Sequence, residues 1–261
     1  MSPDPRSTLQ DLRNRIRQIE NGGGLSLRVL PFGQPEIDDQ LPGGGLPLGA
    51  VHEVTDGGEG LPHIAAATLF VAGIVARTAG TVLWCLRTPD LYAPALAQVG
   101  LEPDRVVYAE APDDRMLPLL VEEGLRHRGL SAVVGELSRL PMVASRRLQI
   151  AAEQSGVTAV LLRRWPQSAM AAVEFSQPTA STTRWRVSAL PSTPLPAPGI
   201  GRPRWRVGLV RCRGGRAGEW EMEGCDATGR LGFPAQMAHR PATRQGQGGT
   251  GPSFAELRVG T

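Results

Sequence analysis

The chain has 261 residues, and 41% of them are hydrophobic, which is enough for one large α/β domain with a real core. Its net charge of +3 permits an anionic partner without requiring one. All 28 basic residues are arginines, so any site that depends on a lysine side chain is excluded. The cysteines, Cys85, Cys212 and Cys225, are odd in number and lack C-x-x-C spacing, which argues against a disulfide framework or a zinc site.

The sequence carries no sign of a membrane or secretion signal. Its first residues are polar and proline-rich, with no apolar stretch behind them. The apolar run at residues 61–76 is interrupted by Pro62 and His63 and is shorter than a membrane span requires. We therefore expect a cytoplasmic protein with no membrane partner.

A short amphipathic helix is predicted at residues 8–20, followed by the glycine tether Gly22–Gly24. Residues 1–24 are therefore interpreted as a helix followed by a flexible glycine linker. A helix this short is marginal in water, so it must dock on its own core, on a neighbouring copy or on another protein. The candidate partner-binding residues form its apolar stripe: Leu9, Leu12, Ile16 and Ile19.

Short apolar strands alternate with helices from residue 50 onwards, which predicts a mostly parallel sheet with helices on both faces. The predicted strands are 50–54, 81–86, 105–109, 131–136 and 157–162. The predicted helices are 64–78, 91–99, 115–128 and 143–154. The run at 157–162 is apolar throughout, which is typical of a strand buried on both faces.

The pattern changes after residue 162. Residues 163–182 are predicted to form a loop, and period-two alternation then predicts antiparallel strands. These strands are 183–189, 204–212 and 219–223, with a proline-rich linker at 190–203 and a hairpin turn at 212–216. We assign residues 25–236 to the core and predict that residues 237–261, rich in glycine, glutamine and threonine, form a disordered tail.

The glycine-rich turn between the first core strand and the first long helix has the layout of a phosphate-binding P-loop. A P-loop requires glycines, a lysine for the β- and γ-phosphates and a serine or threonine for magnesium. Here Leu61, Pro62 and His63 occupy the Gly-Lys-Thr positions, and Pro62 also lacks an N–H donor. We interpret the turn as a degenerate P-loop that binds no cofactor, made of Asp56, Gly57, Gly58, Gly60, Pro62 and His63.

Residues 163–216 contain ten arginines and a single acid, Glu174, interleaved with tryptophans. Arginines bind phosphates and tryptophans stack on unpaired bases, so this composition fits single-stranded nucleic acid. The candidate DNA contacts are Arg163, Arg164, Trp165, Arg184 and Arg186.

A structural alternative explains the same composition. The tryptophans at alternating strand positions, Trp185, Trp205 and Trp220, would then lie in the core. Arg211 or Arg213 would pair across the hairpin with acids of the last strand, which are Glu219, Glu221 and Glu223.

Two stretches resemble a known family. Residues 41–54 (LPGGGLPLGAVHEV) resemble the approach to the Walker A loop of RecA recombinases, and residues 90–93 (DLYA) begin a stretch that resembles the next RecA helix. With the Arg- and Trp-rich C-terminal hairpin, the chain resembles the ImuA family over about residues 30–235. These are the SulA- and RecA-related accessory proteins of the bacterial SOS mutagenesis cassette. The resemblance implies a RecA-like mostly parallel sheet with flanking helices, a C-terminal antiparallel hairpin and a degenerate P-loop.

The resemblance also implies that catalysis is absent. The strand that would end in the Walker B aspartate ends here in Gly135-Glu136, and the strand that would deliver a general-base glutamate is followed by Arg87, Thr88 and Pro89. Together with the lost lysine, these departures imply that the protein is not an ATPase and holds no magnesium.

Members of this family are implied to be non-catalytic adaptors of error-prone translesion DNA synthesis. The implied partners are an ImuB-like inactive Y-family polymerase and an error-prone C-family polymerase, with RecA and single-stranded DNA as further candidates. RecA-like proteins use an N-terminal helix to bind a neighbouring subunit, which suggests the same use for residues 8–20. Two alternatives stay open: a SulA-like inhibitor of a filament-forming protein, and a divergent RecA-like ATPase.

Overall fold

The structure is a computed structural model of the chain, and it describes residues 28–165, 168–192, 199 and 201–234. The predicted helix at 8–20, its glycine tether and the predicted disordered tail at 237–261 lie outside the described residues. None of the described helices is long and apolar enough to cross a membrane.

The described residues form ten strands and six α-helices. The strands are β1 Val29–Leu30, β2 Leu46–Pro47, β3 Val51–Asp56, β4 Thr81–Leu86, β5 Val106–Glu110, β6 Leu130–Leu137, β7 Thr158–Arg163, β8 Thr183–Leu190, β9 Arg204–Cys212 and β10 Gly218–Glu223. The helices are α1 Pro35–Asp38, α2 Leu61–Ala76, α3 Ala93–Ala97, α4 Leu117–Arg126, α5 Met142–Ser155 and α6 Ser168–Ser176.

Eight strands form one sheet in the order β10-β9-β8-β3-β7-β6-β4-β5. Strands β3 to β8 pair in parallel, and β9 and β10 add an antiparallel hairpin beside β8. The prediction of a mostly parallel α/β sheet with flanking helices and a C-terminal antiparallel hairpin is therefore confirmed. Strand β7 is buried along its whole length, as its apolar sequence predicts.

Helices cover the two faces of the sheet and give two core layers. On one face α2 packs over β3 and β8, where Phe32, Phe70 and Trp185 place their rings 5.3 to 6.1 Å apart. On the other face α4 and α5 bury Leu125 and Leu148 against the sheet. The parallel strands thus end at one common edge of the sheet.

Several local features differ from the sequence predictions. Helix α2 begins at Leu61 instead of Ile64, because a proline is tolerated in the first turn, where its missing N–H has no helical partner. Helix α3 is shorter than predicted. The predicted loop at 163–182 contains α6, whose alanine-rich sequence has high intrinsic helix propensity.

The glycine-rich approach to the P-loop has a structural role of its own. Residues 29–30 and 46–47 pair as the two-stranded antiparallel ribbon β1–β2, which the sequence patterns did not predict. A Cβ atom on Gly45 would lie 2.8 Å from the backbone nitrogen of Pro31. Because backbone atoms cannot give way easily, this position requires glycine for close packing of the ribbon.

Candidate functional site

The edge at which the parallel strands end brings together the motifs that resemble parts of a nucleotide site. The loop at residues 56–60 connects β3 to α2, Glu136 lies near the end of β6, and Arg164 follows β7 directly. Asp90 comes from the segment after β4, so four neighbouring strands contribute to one place. Carboxyl ends of parallel strands are the usual ligand-binding edge of such sheets.

The glycines of the degenerate P-loop pack against protein groups. Gly57 donates its N–H to the Val187 carbonyl at 2.9 Å, which joins the loop to β8. A Cβ atom on Gly58 would lie 2.5 Å from Cε1 of His63, so the imidazole occupies the space beside this glycine. His63 Nδ1 in turn accepts the N–H of Ala189 at 3.2 Å. The loop glycines therefore accommodate an imidazole ring and a neighbouring strand.

This packing predicts that Gly58→Ala destabilises the protein by about 1–2 kcal/mol, because the added methyl group displaces the imidazole and its hydrogen bond. In a His63→Ala background the same substitution should cost almost nothing. Urea denaturation of the four proteins in this double-mutant cycle measures the difference. Equal costs in both backgrounds would show that the imidazole does not determine the need for glycine.

The guanidinium of Arg164 contacts the carboxylate of Glu136, which stands near the position of a Walker B aspartate. Its Nη1 is 2.8 Å from Glu136 Oε2 and 3.4 Å from Asp90 Oδ1, and its Nη2 donates to Thr68 Oγ1 of α2 at 3.0 Å. Trp84 Nε1 donates to the other oxygen of Glu136 at 2.9 Å. The protein therefore supplies its own cation at this carboxylate.

Burial raises the pKa of Glu136, although Arg164 and the Trp84 hydrogen bond act in the opposite direction. Burial likewise raises the pKa of Asp56, against smaller opposing contributions that include His63 and Arg164.

The residues at this edge do not fit a magnesium nucleotide. The ion would have to displace Arg164 from Glu136, and Pro62 offers neither an amine nor an N–H to a phosphate. Among the described residues no three His, Cys, Asp or Glu side chains converge as metal ligands.

A second charged cluster is fully buried on the α5 side of the sheet. Glu53 on β3 is 0% exposed and lies between Arg163 on β7 and Arg184 on β8, which are 1% and 5% exposed. Arg163 Nη1 is 2.5 Å from Glu53 Oε2, and Arg184 Nε is 3.2 Å from Oε1. Thr179 and Ser181 also donate hydroxyl hydrogen bonds to Oε1. One carboxylate thus compensates two buried guanidiniums.

The pKa of Glu53 lies below its ordinary value. Burial alone would raise it, but Arg163, Arg184 and the two hydroxyl groups together outweigh that effect. The cluster is covered by the segment that follows β7. Arg163 lies 5.1 Å from the centre of the Trp165 ring, and Arg184 lies 4.6 Å from that of Phe175 on α6. The segment predicted as a DNA-binding loop thus packs as a cover over a buried ionic network.

This placement corrects two of the candidate DNA contacts. Arg163 and Arg184 are buried on Glu53, so neither guanidinium is available to a phosphate in this structure. Arg164 is held by Glu136, and Trp165 packs edge-on against Phe175 with ring centres 6.3 Å apart. Arg186 is exposed, so its contact with DNA stays a prediction.

The structural alternative is confirmed for two tryptophans and corrected for the hairpin. Trp185 and Trp205 are buried in the core. The hairpin acids pair with arginines other than Arg211 and Arg213: Glu221 with Arg204 at 2.8 Å and Arg206 at 3.0 Å, and Glu223 with Arg202 at 3.0 Å. The β9–β10 register places Arg206 opposite Glu221. Arg211 and Arg213 instead donate to the carbonyls of Thr179 and Ala180.

Glu53 was not predicted to be the centre of a buried network. The signal was present, because Glu53 lies in the middle of the apolar strand predicted at 50–54, Arg163 ends β7 and Arg184 lies at the start of β8. His52 beside it is a satisfied core histidine. Its ring nitrogens bond Thr183 Oγ1 and the Pro47 carbonyl, and burial lowers its pKa to about 4.

Comparison of this chain with known proteins identifies its family. No family model matches the chain. Proteins named ImuA from Caulobacter vibrioides strains NA1000 / CB15N and ATCC 19089 / CIP 103742 / CB 15 are each 40% identical to it over 216 residues, which is 80% of this chain and 88% of theirs. The crystal structure of the RadB recombinase matches 78% of this chain and 99% of its own with a TM-score of 0.54 and 15% identity, which confirms the RecA-like fold. From this level of identity and coverage, the chain belongs to the ImuA family.

Proposed function

We propose that this protein is a non-catalytic, RecA-like adaptor of the SOS-induced mutagenesis system. Family membership and the RecA-like fold support a role in that system. One observation carries the non-catalytic part of the proposal. Arg164 forms an ion pair with Glu136 and a hydrogen bond to Thr68, in the place where a RecA-type enzyme requires a magnesium nucleotide.

A scaffold with a filled nucleotide site is suited to joining other proteins. Its sheet edge is held together by side chains of its own, so its conformation does not depend on nucleotide turnover. The partners we propose are an ImuB-like inactive Y-family polymerase and an error-prone C-family polymerase, which the adaptor would join at damaged DNA. RecA is a further proposed partner.

We expect isothermal titration with ATP and magnesium to give no binding heat for this protein. Pro62 and His63 replace the residues that would hold the phosphates, and the chain contains no lysine that could take over. Binding with micromolar affinity, about −8 kcal/mol, would contradict the proposal and favour the ATPase alternative. Titration of Arg164→Ala serves as the control: binding by that variant alone would show that the guanidinium, rather than the missing lysine, excludes nucleotide.

Reconstitution with purified polymerases tests the adaptor role. The two polymerases should co-elute from a gel-filtration column when the full-length protein is added and elute separately without it. A SulA-like inhibitor, by contrast, needs only one filament-forming partner. Polymerases that associate equally well in the absence of this protein would therefore count against an adaptor.

A further inference from the structure

A groove runs along the outer surface of the helix pair α4 and α5, away from both charged clusters. It consists of two adjoining depressions that share Glu122, Arg126 and Arg147, and the one at the end of α4 measures about 300 Å³. Met116 and Leu119 line one end, and Arg128 and Ile150 line the other. We call this surface the α4–α5 groove.

The groove exposes apolar side chains that a solvent-facing helix surface would normally lack. Leu119 is 46% exposed and Ile150 is 52% exposed, and Met116 is also solvent-accessible. The opposite faces of the same helices bury Val121, Leu125 and Leu148 against the sheet. Both helices therefore carry apolar side chains on the side that faces away from the sheet as well as on the buried side.

Arginines surround these apolar side chains. Arg126 from the next turn of α4 and Arg147 from α5 contact the same buried carboxylate, at 2.7 and 2.6 Å from the two oxygens of Glu122. Each uses one nitrogen for this contact, and their side chains remain 62% and 54% exposed. Glu122 therefore fixes the two guanidiniums in position, Arg126 also contacts Glu123 at 3.5 Å, and both arginine side chains stay more than half exposed.

The charge of the groove is positive. Arg128 lines it beside Arg126 and Arg147, and Arg146 precedes Ile150 by one turn on the same face of α5. Three arginines and two acids, Glu122 and Glu123, thus line the groove, Arg146 lies beside it, and both oxygens of Glu122 already have partners. Fixed, exposed guanidiniums are well suited to carboxylates, which they can bind through two parallel N–H donors.

We propose that the α4–α5 groove binds an acidic amphipathic helix of a partner protein. Apolar side chains of that helix would pack against Met116, Leu119 and Ile150, and its carboxylates would pair with Arg126, Arg128 and Arg147. This is the helix-in-groove mode of recognition. Helix α4 has ten residues and is about 15 Å long, so about three turns of partner helix match the groove.

Nucleic acid fits this surface less well than a peptide does. The described residues that line the groove include no aromatic side chain on which a base could stack, and Glu122 lies at its centre. Large exposed apolar side chains would also gain nothing from a phosphate backbone. The mixture of apolar and guanidinium groups instead matches a chain that carries both leucine-like and acidic side chains.

Fluorescence anisotropy with a designed peptide tests the proposal on the full-length protein. The probe is a fluorescein-labelled three-turn helix with leucine along one stripe and glutamate beside it, and its partner probe carries lysine in place of every glutamate. We expect the acidic probe to bind more weakly as salt rises, and the lysine probe not to bind. Equal binding of both probes would overturn the proposal, as would displacement of the acidic probe by a single-stranded oligonucleotide.

Matched variants locate the binding. Ile150→Glu and Arg128→Glu should each weaken binding of the acidic probe by about tenfold or more, because the new carboxylate repels the carboxylates of the probe. Both side chains are exposed, so the variants should fold, which circular dichroism checks. Val173→Glu changes an apolar residue on α6 that is at least as exposed as Ile150 and should leave the affinity unchanged. Unchanged affinity in both groove variants would overturn the proposal independently of any result on nucleotide binding.

Discussion

Glu53→Gln is expected to destabilise the protein by about 3–5 kcal/mol, because it leaves two buried guanidiniums without a compensating carboxylate. Arg163 and Arg184 are almost completely buried, so water cannot replace the lost charge. Glutamine keeps the shape of the side chain, and the loss therefore reports charge and hydrogen bonding. Equilibrium unfolding in urea measures the change as a lower transition midpoint.

The effect of Glu53→Gln should depend on pH in a defined direction. The pKa of Glu53 in the folded protein lies below its ordinary value of 4.5, so its stabilising contribution is complete above that value. The contribution is lost as pH falls from 4.5 through the lower folded pKa. The difference in unfolding free energy between the natural protein and Glu53→Gln should therefore be largest near neutral pH and shrink below pH 4.5.

Two further variants show whether the buried network is the cause. Glu221→Gln removes a carboxylate that bridges two arginines on the exposed hairpin and should cost less than about 1 kcal/mol, since exposed ion pairs contribute little. Adding Arg184→Met to Glu53→Gln removes one uncompensated charge and should recover part of the stability. No recovery would mean that Arg184 is not stabilised by Glu53.

Arg164→Ala is expected to cost about 2 kcal/mol, because it removes the cation from a carboxylate whose side chain is only 9% exposed. The value is lower than for Glu53 because Arg164 itself is partly solvated. Burial and the nearby Asp90 already raise the pKa of Glu136, and loss of Arg164 should raise it further.

The cost of Arg164→Ala, like that of Glu53→Gln, should be larger at neutral than at acid pH, but it should change above pH 4.5 and not below it. A carboxyl group whose folded pKa is raised contributes stability below its unfolded pKa and loses it as pH rises through the folded pKa. The variant should therefore lose least near pH 4.5 and most at neutral pH, as measured by thermal or urea unfolding. The double variant Glu136→Gln with Arg164→Ala should lose less than Arg164→Ala alone. A cost that is small and independent of pH would show that Arg164 does not compensate Glu136.

Much of this architecture follows from local patterns along the chain. Apolar runs such as 157–162 predict buried parallel strands, and the observed β7 differs from the prediction by one residue at each end. The period-two alternation of the last strands predicts the hairpin, and β9 has the predicted bounds. Helix α6 was not predicted because it begins close after Pro166, ends in a serine and is followed by Pro178, and such residues are also typical of loops.

The sequence by itself determined that the chemistry of a P-loop is missing, since an absent lysine and a proline in its place are facts of composition. Only the tertiary structure decided which groups the arginine side chains of residues 163–186 contact. Composition marks these arginines as candidates for DNA, but the sheet order β8-β3-β7 places two of them on the carboxylate of Glu53, which is 110 and 131 residues distant in the chain. Strand order arises from packing between distant segments, and no local pattern of residues specifies it. For the same physical reason, the cation that fills the degenerate nucleotide site became visible only when β6, β7 and α2 were brought together.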